Sequence, residues 1–364
     1  MTIDEIPHLN RLNIIGSTFS PVFLLLLCFI SFFLLSSNTV YAETQHDLHC
    51  GTFSSLGTKT NHTIQLTRRD DLPHKISSPT GFFRIHYTTI GEDGVDSVDS
   101  NNNGIPDYID SVAFYFDYCL NVQTQELGYP SPPQDGGNGG STQYDVYVYE
   151  LSKYRYFGLT APDQNLSSPF FKRSTSFIAI DNNYSPNDLA PNGNRIYPTI
   201  GISALKITAA HELHHAIQFG NYGVAQRDLS LYEMTSSWME TFLFPEVEDY
   251  IRQSREFFNN NKTFGFGKSD PDFGYGYNIV AIYLSQKFGP QCIKDMWDEI
   301  GQGKLPYSAL NLALSRYNAS LSEEWCNFLP WIYKTGYRAE PTFGLPKSEK
   351  FLPLKPSTVS KYSA

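Results

Sequence analysis

Apolar and polar residues alternate along Phe82-Phe83-Arg84-Ile85-His86-Tyr87 and again along Tyr144-Asp145-Val146-Tyr147-Val148-Tyr149, a period of two that predicts strands. His86 falls on the polar side of the first alternation and is expected to face solvent. Ser176-Phe177-Ile178-Ala179-Ile180 predicts a third strand. Tyr108 to Leu127 has helical spacing, and Pro130 to Thr142 is a loop rich in Gly and Pro. A second loop, Asp181 to Thr199, leads into Leu205 to Phe219, a run of good helix formers, and Asp228 to Glu240 predicts a further helix. Helices over Ile279 to Phe288, Gln291 to Ile300 and Ser308 to Tyr317 follow. Beyond Glu340 an extended tail is expected over 341–364. Strands first and helices after them predict an α+β fold, with a sheet lobe over 43–200 and a mainly helical lobe over 201–340.

The first 42 residues do not belong to that pattern. Pro21 to Leu35 is almost wholly apolar, and Ser36 to Ala42 supplies small residues, so 1–42 reads as an export signal cleaved after Ala42. The expected location is secreted, extracellular or periplasmic. The run is short beside the roughly 20 residues of a membrane span, and no stable membrane partner is expected unless the signal is retained. Formal net charge is −10 with no Lys/Arg run, which argues against nucleic acid as a partner. Beyond the leader the cysteines are Cys50, Cys119, Cys292 and Cys326, an even number in an exported chain. The pairing expected is Cys50 with Cys119 and Cys292 with Cys326, with four free buried thiols as the alternative.

The chemistry concentrates in His211-Glu212-Leu213-His214-His215, an H-E-x-x-H arrangement inside the helix-forming run. Residues four apart share a helix face, so His211 and His215 can aim imidazole nitrogens at one metal ion. Two imidazoles and one further protein ligand hold Zn2+ with a position left open for water. Glu212, beside the first histidine, is placed to act as general base toward that water. His214 offers an alternative pair with His211, but that pairing displaces Glu212 from its place, which favours His211 and His215. Tyr275 and Tyr277, expected just before a helix, could serve an oxyanion, although packing is the commoner role of tyrosine in a chain with 24 of them.

A second metal site is expected in Asp99 to Asp110. Oxygen ligands at Asp99, Asn101 and Asn103, Gly104 at the turn, the carbonyl of Ile105, and carboxylates at Asp107 and Asp110 follow the spacing of an EF-hand loop and suggest structural Ca2+. Pro106 and the aspartate at the last position depart from that loop.

The third zinc ligand comes from a resemblance. Glu233 lies 18 positions after His215 in a helix where small residues follow it, and in this the segment resembles gluzincins, the thermolysin-like and aminopeptidase-like zinc peptidases. Glu240, seven residues on and on the same helix face, is the runner-up ligand or a partner of one. More broadly, Cys50-Gly51-Thr52, Phe83 to Tyr87, Asn103 to Tyr108, Tyr144 to Tyr147 and Ala210 to Phe219 resemble an exported, little-characterised family of microbial zinc metalloproteases, over roughly 50–340. The resemblance implies a zincin fold: a twisted β-sheet lobe, the active-site helix, and a helical lobe. It implies His211, His215 and Glu233 as zinc ligands, Glu212 as catalytic base, and a protein or peptide as substrate. Many relatives carry additional sandwich or repeat domains.

Two rivals remain at this stage. One is an exported, non-catalytic protein that keeps metal only for folding, which would require a protein group, Glu240 or His214 for example, to close the fourth coordination position. The other is a zinc hydrolase of a non-peptide amide. No propeptide with a metal-blocking cysteine is evident, and residues 43–80 read as polar and loop-like.

Overall fold

A computed structural model describes residues 50–53, 72–259 and 270–355, and the leader expected at 1–42 lies outside them. Five strands, β1 (His74–Ser77), β2 (Phe83–Tyr87), β3 (Tyr144–Tyr149), β4 (Gly158–Leu166) and β5 (Arg173–Asp181), form one mixed sheet. Their order is β1-β2-β3-β5-β4. β2, β3 and β5 run parallel, while β1 and β4 are antiparallel to their neighbours. β4 is thus an edge strand. Its second half is irregular between Pro162 and Asn165, which an edge tolerates because Pro162 has no amide to offer the ladder.

The alternation seen in sequence has two buried faces. Phe83, Ile85, Tyr87, Tyr144, Val146, Val148, Ile178 and Ile180 join the main core under the helices. Tyr147, Tyr149, Phe177, Ala179, Leu159 and Ala161 form a smaller core with Leu72, Leu151 and Tyr156 on the opposite face. The expectation for His86 is therefore corrected. It is fully buried, its Nε2 lies 2.9 Å from Asp145 Oδ1, and its ring stacks on Tyr147 at 4.3 Å. A polar residue in an alternating strand faces water only when that face is uncovered, and here it is covered.

α1 (Asp107–Asn121) connects β2 to β3 and continues into a π-helical turn, Val122–Glu126. The remaining helices are α2 (Gly201–Ile217), α3 (Ser230–Leu243), α4 (Asp249–Gln253), α5 (Arg255–Asn259), α6 (Asp272–Phe288), α7 (Gln291–Gly301), α8 (Pro306–Ser315) and α9 (Leu321–Tyr333). α2 packs on the sheet through β4 and β5 and on α1 and α3, and α3 packs most extensively on α6. Every residue of α2 from Ile207 to Ile217 is buried. A helix buried all round cannot leave polar side chains to water, so each charged or imidazole group on it must find a partner in the interior.

The cysteine pairings are not formed. Cys50, Cys119 and Cys292 are buried free thiols and Cys326 is an exposed one. Cys119 sits in the main core on α1, while Cys292 turns its sulfur toward Leu284 O. Each thiol has its own surroundings and none faces another. The stretch from Glu340 runs back over the helices: Leu345 and Phe351 are buried, and Phe351 contacts the rings of Tyr250 and Phe258. Among the described residues no helix is long and apolar enough to cross a membrane.

Candidate metal centre

α2 brings His211 and His215 onto one face, and their Nε2 atoms approach to 3.0 Å. Glu233, in the first turn of α3, lies with Oε2 3.1 Å from His211 Nε2 and 3.5 Å from His215 Nε2. All three residues are buried. The tautomers follow from the other ring nitrogens. His211 Nδ1 lies 2.6 Å from Glu240 Oε1, a carboxylate oxygen to which it must donate. His215 Nδ1 lies 2.7 Å from Gln218 Oε1. The amide nitrogen of Gln218 is aimed at Tyr232 O, Thr235 Oγ1 and Ser236 Oγ, which leaves its oxygen to accept from His215. Both Nε2 atoms therefore present lone pairs to each other and to Glu233 Oε2, a buried oxygen without a hydrogen bond among the described residues. Three acceptors that converge in the interior call for a cation between them. Tetrahedral Zn2+ with nitrogen ligands at 2.0–2.1 Å would hold them about 3.3 Å apart, close to the observed spacing.

A fourth residue belongs to the group. Cys50, His211, His215 and Glu233 each offer a ligand atom, and those atoms all lie within 4.8 Å of one another. A donor set of two imidazoles, a carboxylate and a thiolate suits zinc. The approach of Cys50 depends on β4. Cys50 bridges Gly158 in parallel sense, Gly51 N donates to Gly158 O at 3.0 Å, and Cys50 N donates to Tyr275 OH at 3.1 Å.

Glu212 follows His211 along α2. Its Oε2 accepts from Thr160 Oγ1 at 2.8 Å and from Thr52 Oγ1 at 3.1 Å. A small cavity lined by Cys50, Phe157, Ile207, Thr208, His211, Glu212 and Glu240 adjoins it, with room for about one water. His214 faces away, with Nδ1 3.0 Å from Gln123 Oε1 in the π turn after α1 and its ring edge-on to Tyr129 and Trp297.

The electrostatics match this crowding. Burial pulls the His211 pKa down, but bonds to Cys50, Glu233 and Glu240 outweigh it and hold it well above the usual histidine value. Burial pushes the Glu233 carboxyl up, yet His215 and His211 bring it down to about 2. Glu240 is pushed up to about 7 by burial, against the opposing bond from His211. Burial, then Glu212 and Glu233, raise the Cys50 thiol. Burial, then His215 and His211, lower His214.

Tyr275 and Tyr277 lie inside α6 rather than before it. Tyr275 is at the site, its ring parallel to that of His211 at 6.0 Å, whereas Tyr277 is packed in the main core. Neither Glu240 nor His214 occupies a fourth ligand position, since each is engaged elsewhere. The residue whose ligand atom comes close to those of His211, His215 and Glu233 is Cys50. Sequence reasoning also missed Thr52, Thr160 and Gln218. The i, i+3 spacing of His215 and Gln218 across a helix end was an available signal for the last of these.

In the acidic loop, Gly104 takes a left-handed φ of 83°. Asp99 accepts from the amides of Asn103 and Gly104, Asp107 from the amide and hydroxyl of Ser100, and Asp110 Oδ2 from the side-chain amides of Asn101 and Asn103. The Ser100 bonds hold the Asp107 carboxyl below its usual value. Ile105 donates its amide to Asn103 Oδ1. The loop is thus closed on itself by hydrogen bonds from N–H and O–H donors to Asp99, Asn103, Asp107 and Asp110 Oδ2.

A model of a family of unknown function, DUF6055, matches residues 199–328, a span that holds α2, Glu233, Glu240 and Tyr275 but not Cys50. Comparison with curated proteins finds no match.

Proposed function

We propose that this chain is an exported zinc metallopeptidase of zincin type, with a sheet lobe, the α2 metal helix and a helical lobe, that hydrolyses peptide bonds with water. The observation that carries this reading is the convergence of His211 Nε2, His215 Nε2 and Glu233 Oε2, with the carboxylate of Glu212 beside them. Zn2+ held there supplies a Lewis acid that polarises a carbonyl and acidifies water. Glu240 and Gln218 fix the two imidazoles in the tautomer that ligates. Glu212 takes the proton of the attacking water and passes it to the leaving amine. Thr160 holds one oxygen of that carboxylate and so aims the other. The Tyr275 hydroxyl stands at the edge of the group, where it can donate to a developing oxyanion.

The sulfur of Cys50 favours a second reading, a closed metal site without catalysis, since structural zinc sites carry four protein ligands. The experiment that separates them uses Cys50→Ser, with and without Glu212→Gln. Both proteins should hold one zinc per chain. Cys50→Ser should cleave a mixed peptide library, and adding Glu212→Gln should reduce the rate about 10²–10⁴-fold. Equal metal content with no cleavage by either would sink the peptidase reading. For the loop at Asp99 to Asp110, the spacing supports structural calcium, with Asp99, Asn101, Asn103, Ile105, Asp107 and Asp110 as its ligands.

A further inference from the structure

The short segment Cys50 to Phe53 meets all three parts of the hydrolytic site at once. Cys50 places its sulfur in the ligand group. Thr52, fully buried, bonds Glu212 Oε2 through its hydroxyl and accepts the amide of Thr160 at 2.8 Å through the same oxygen. Cys50 and Gly51 occupy the outer edge of β4 at Gly158, the edge to which an extended peptide could add as a strand. Phe53 anchors the segment, edge-on to His215, Phe219 and Tyr232 at 5.4, 5.9 and 5.9 Å.

We infer that Cys50 to Phe53 is an intramolecular inhibitor: Cys50 is the fourth metal ligand, Thr52 restrains the base, and the segment fills the place of a bound peptide. The inference rests on the peptidase reading and adds to it that the intact chain is latent. A site that exists only to hold metal needs four ligands, but it has no use for a buried carboxylate at Glu212 or for a hydroxyl to restrain it. The ligands on α2 and α3 lie within the packed helices, whereas Cys50 and Gly51 meet β4 along its outer edge, where Gly51 N donates to Gly158 O at 3.0 Å. Displacing the segment frees the fourth ligand position, Glu212 and the β4 edge together.

The test compares the full chain with Cys50→Ser, which keeps a hydrogen-bonding atom beside Thr52. Each is loaded with Co2+, whose thiolate charge-transfer absorption reports sulfur ligation independently of turnover, and each is loaded with Zn2+ for cleavage of a peptide library. The expected result is a thiolate band in the parent and none in Cys50→Ser, one metal in each, and cleavage at least about tenfold faster in Cys50→Ser, as when under about a tenth of the parent is open. Absence of the band in the parent overturns the inference whatever the cleavage. Equal cleavage by both overturns latency while leaving the peptidase reading in place. A band that disappears with no cleavage by either protein removes inhibitor and peptidase together and leaves a sulfur-ligated metal. Alkylation of Cys50 in the folded parent, followed by peptide mapping, should be slow with metal bound and fast after chelation. Equal rates would also overturn the inference, without recourse to a variant.

Discussion

Glu240 orders the candidate site without belonging to the cluster of ligand atoms. Its Oε1 accepts from His211 Nδ1, and its Oε2 accepts from Gln253 Nε2 at 3.2 Å, so the carboxylate is fixed at both oxygens. Glu240→Ala should cut zinc affinity about 10–100-fold, measured by competition with a chromophoric chelator. An unchanged affinity would show that His211 is oriented by packing alone. His211, Glu212 and His215 were legible in sequence because helix geometry puts i and i+4 together without help from the rest of the fold. Glu233 was legible only through a likeness, since nothing local joins α2 to α3. Cys50, Thr52 and Thr160 were not, because 160 positions separate Thr52 from Glu212 and 52 separate Thr160 from it. His86 was misread for a related reason: a polar residue looks solvent-facing until its partner, Asp145, is placed beside it.

Among the elements, the pair α3 and α6 governs where Glu233 stands. A methyl group on Gly274 would meet Glu233 Cβ at 2.3 Å and Ser230 O at 2.4 Å, so the helices touch at a place where only hydrogen fits. Gly274→Ala should destabilise the protein by about 1–3 kcal/mol through overpacking. It should also lower zinc affinity by pushing Glu233 off its position. A urea midpoint and a metal titration on the same variant would check both, and a destabilised protein with unaltered metal binding would mean that α6 yields rather than α3. The elements with strong periodicity, β2, β3 and α1, could be read from sequence almost to their ends. β1 has one apolar residue in four, and β4 carries Pro162, Asp163, Gln164 and Asn165 in its exposed half. Edge strands need not alternate, and these two gave no signal. The start of α6 was missed because Phe273-Gly274-Tyr275-Gly276 reads as a turn until the close approach to α3 explains the first glycine.

For the whole molecule, residues 341–355 are a structural part rather than an appendage, while the rest of the tail expected over 341–364 lies outside the described residues. Leu345 and Phe351 are buried, Thr335 Oγ1 donates to Leu352 O, and Phe351 rests on Tyr250 of α4. Deleting 341–364 should cost about 3–6 kcal/mol from these two side chains alone, seen as a lower Tm. Gln253, which holds Glu240, shares α4 with Tyr250, so the same truncation should weaken zinc retention. A truncated chain with full metal affinity would show that α4 keeps its place without the tail. Composition hid this, because Pro and Lys suggest solvent, whereas the burial comes from a few apolar residues spaced among them.

The contact between Cys50 and Tyr275 spans 225 positions, and a ribosome delivers its two ends in a fixed order. Cys50 is made early, and the hydroxyl that receives its amide is among the later parts of the helical core to be made. Contacts this distant in sequence close late, after the loop between them has been ordered. Each new molecule therefore passes through an interval in which the core is assembling and the sulfur has nowhere to dock. In that interval the thiol is open to oxidants and to stray metal, and the strand edge at Gly158 is open to any extended chain, including another copy of the same protein.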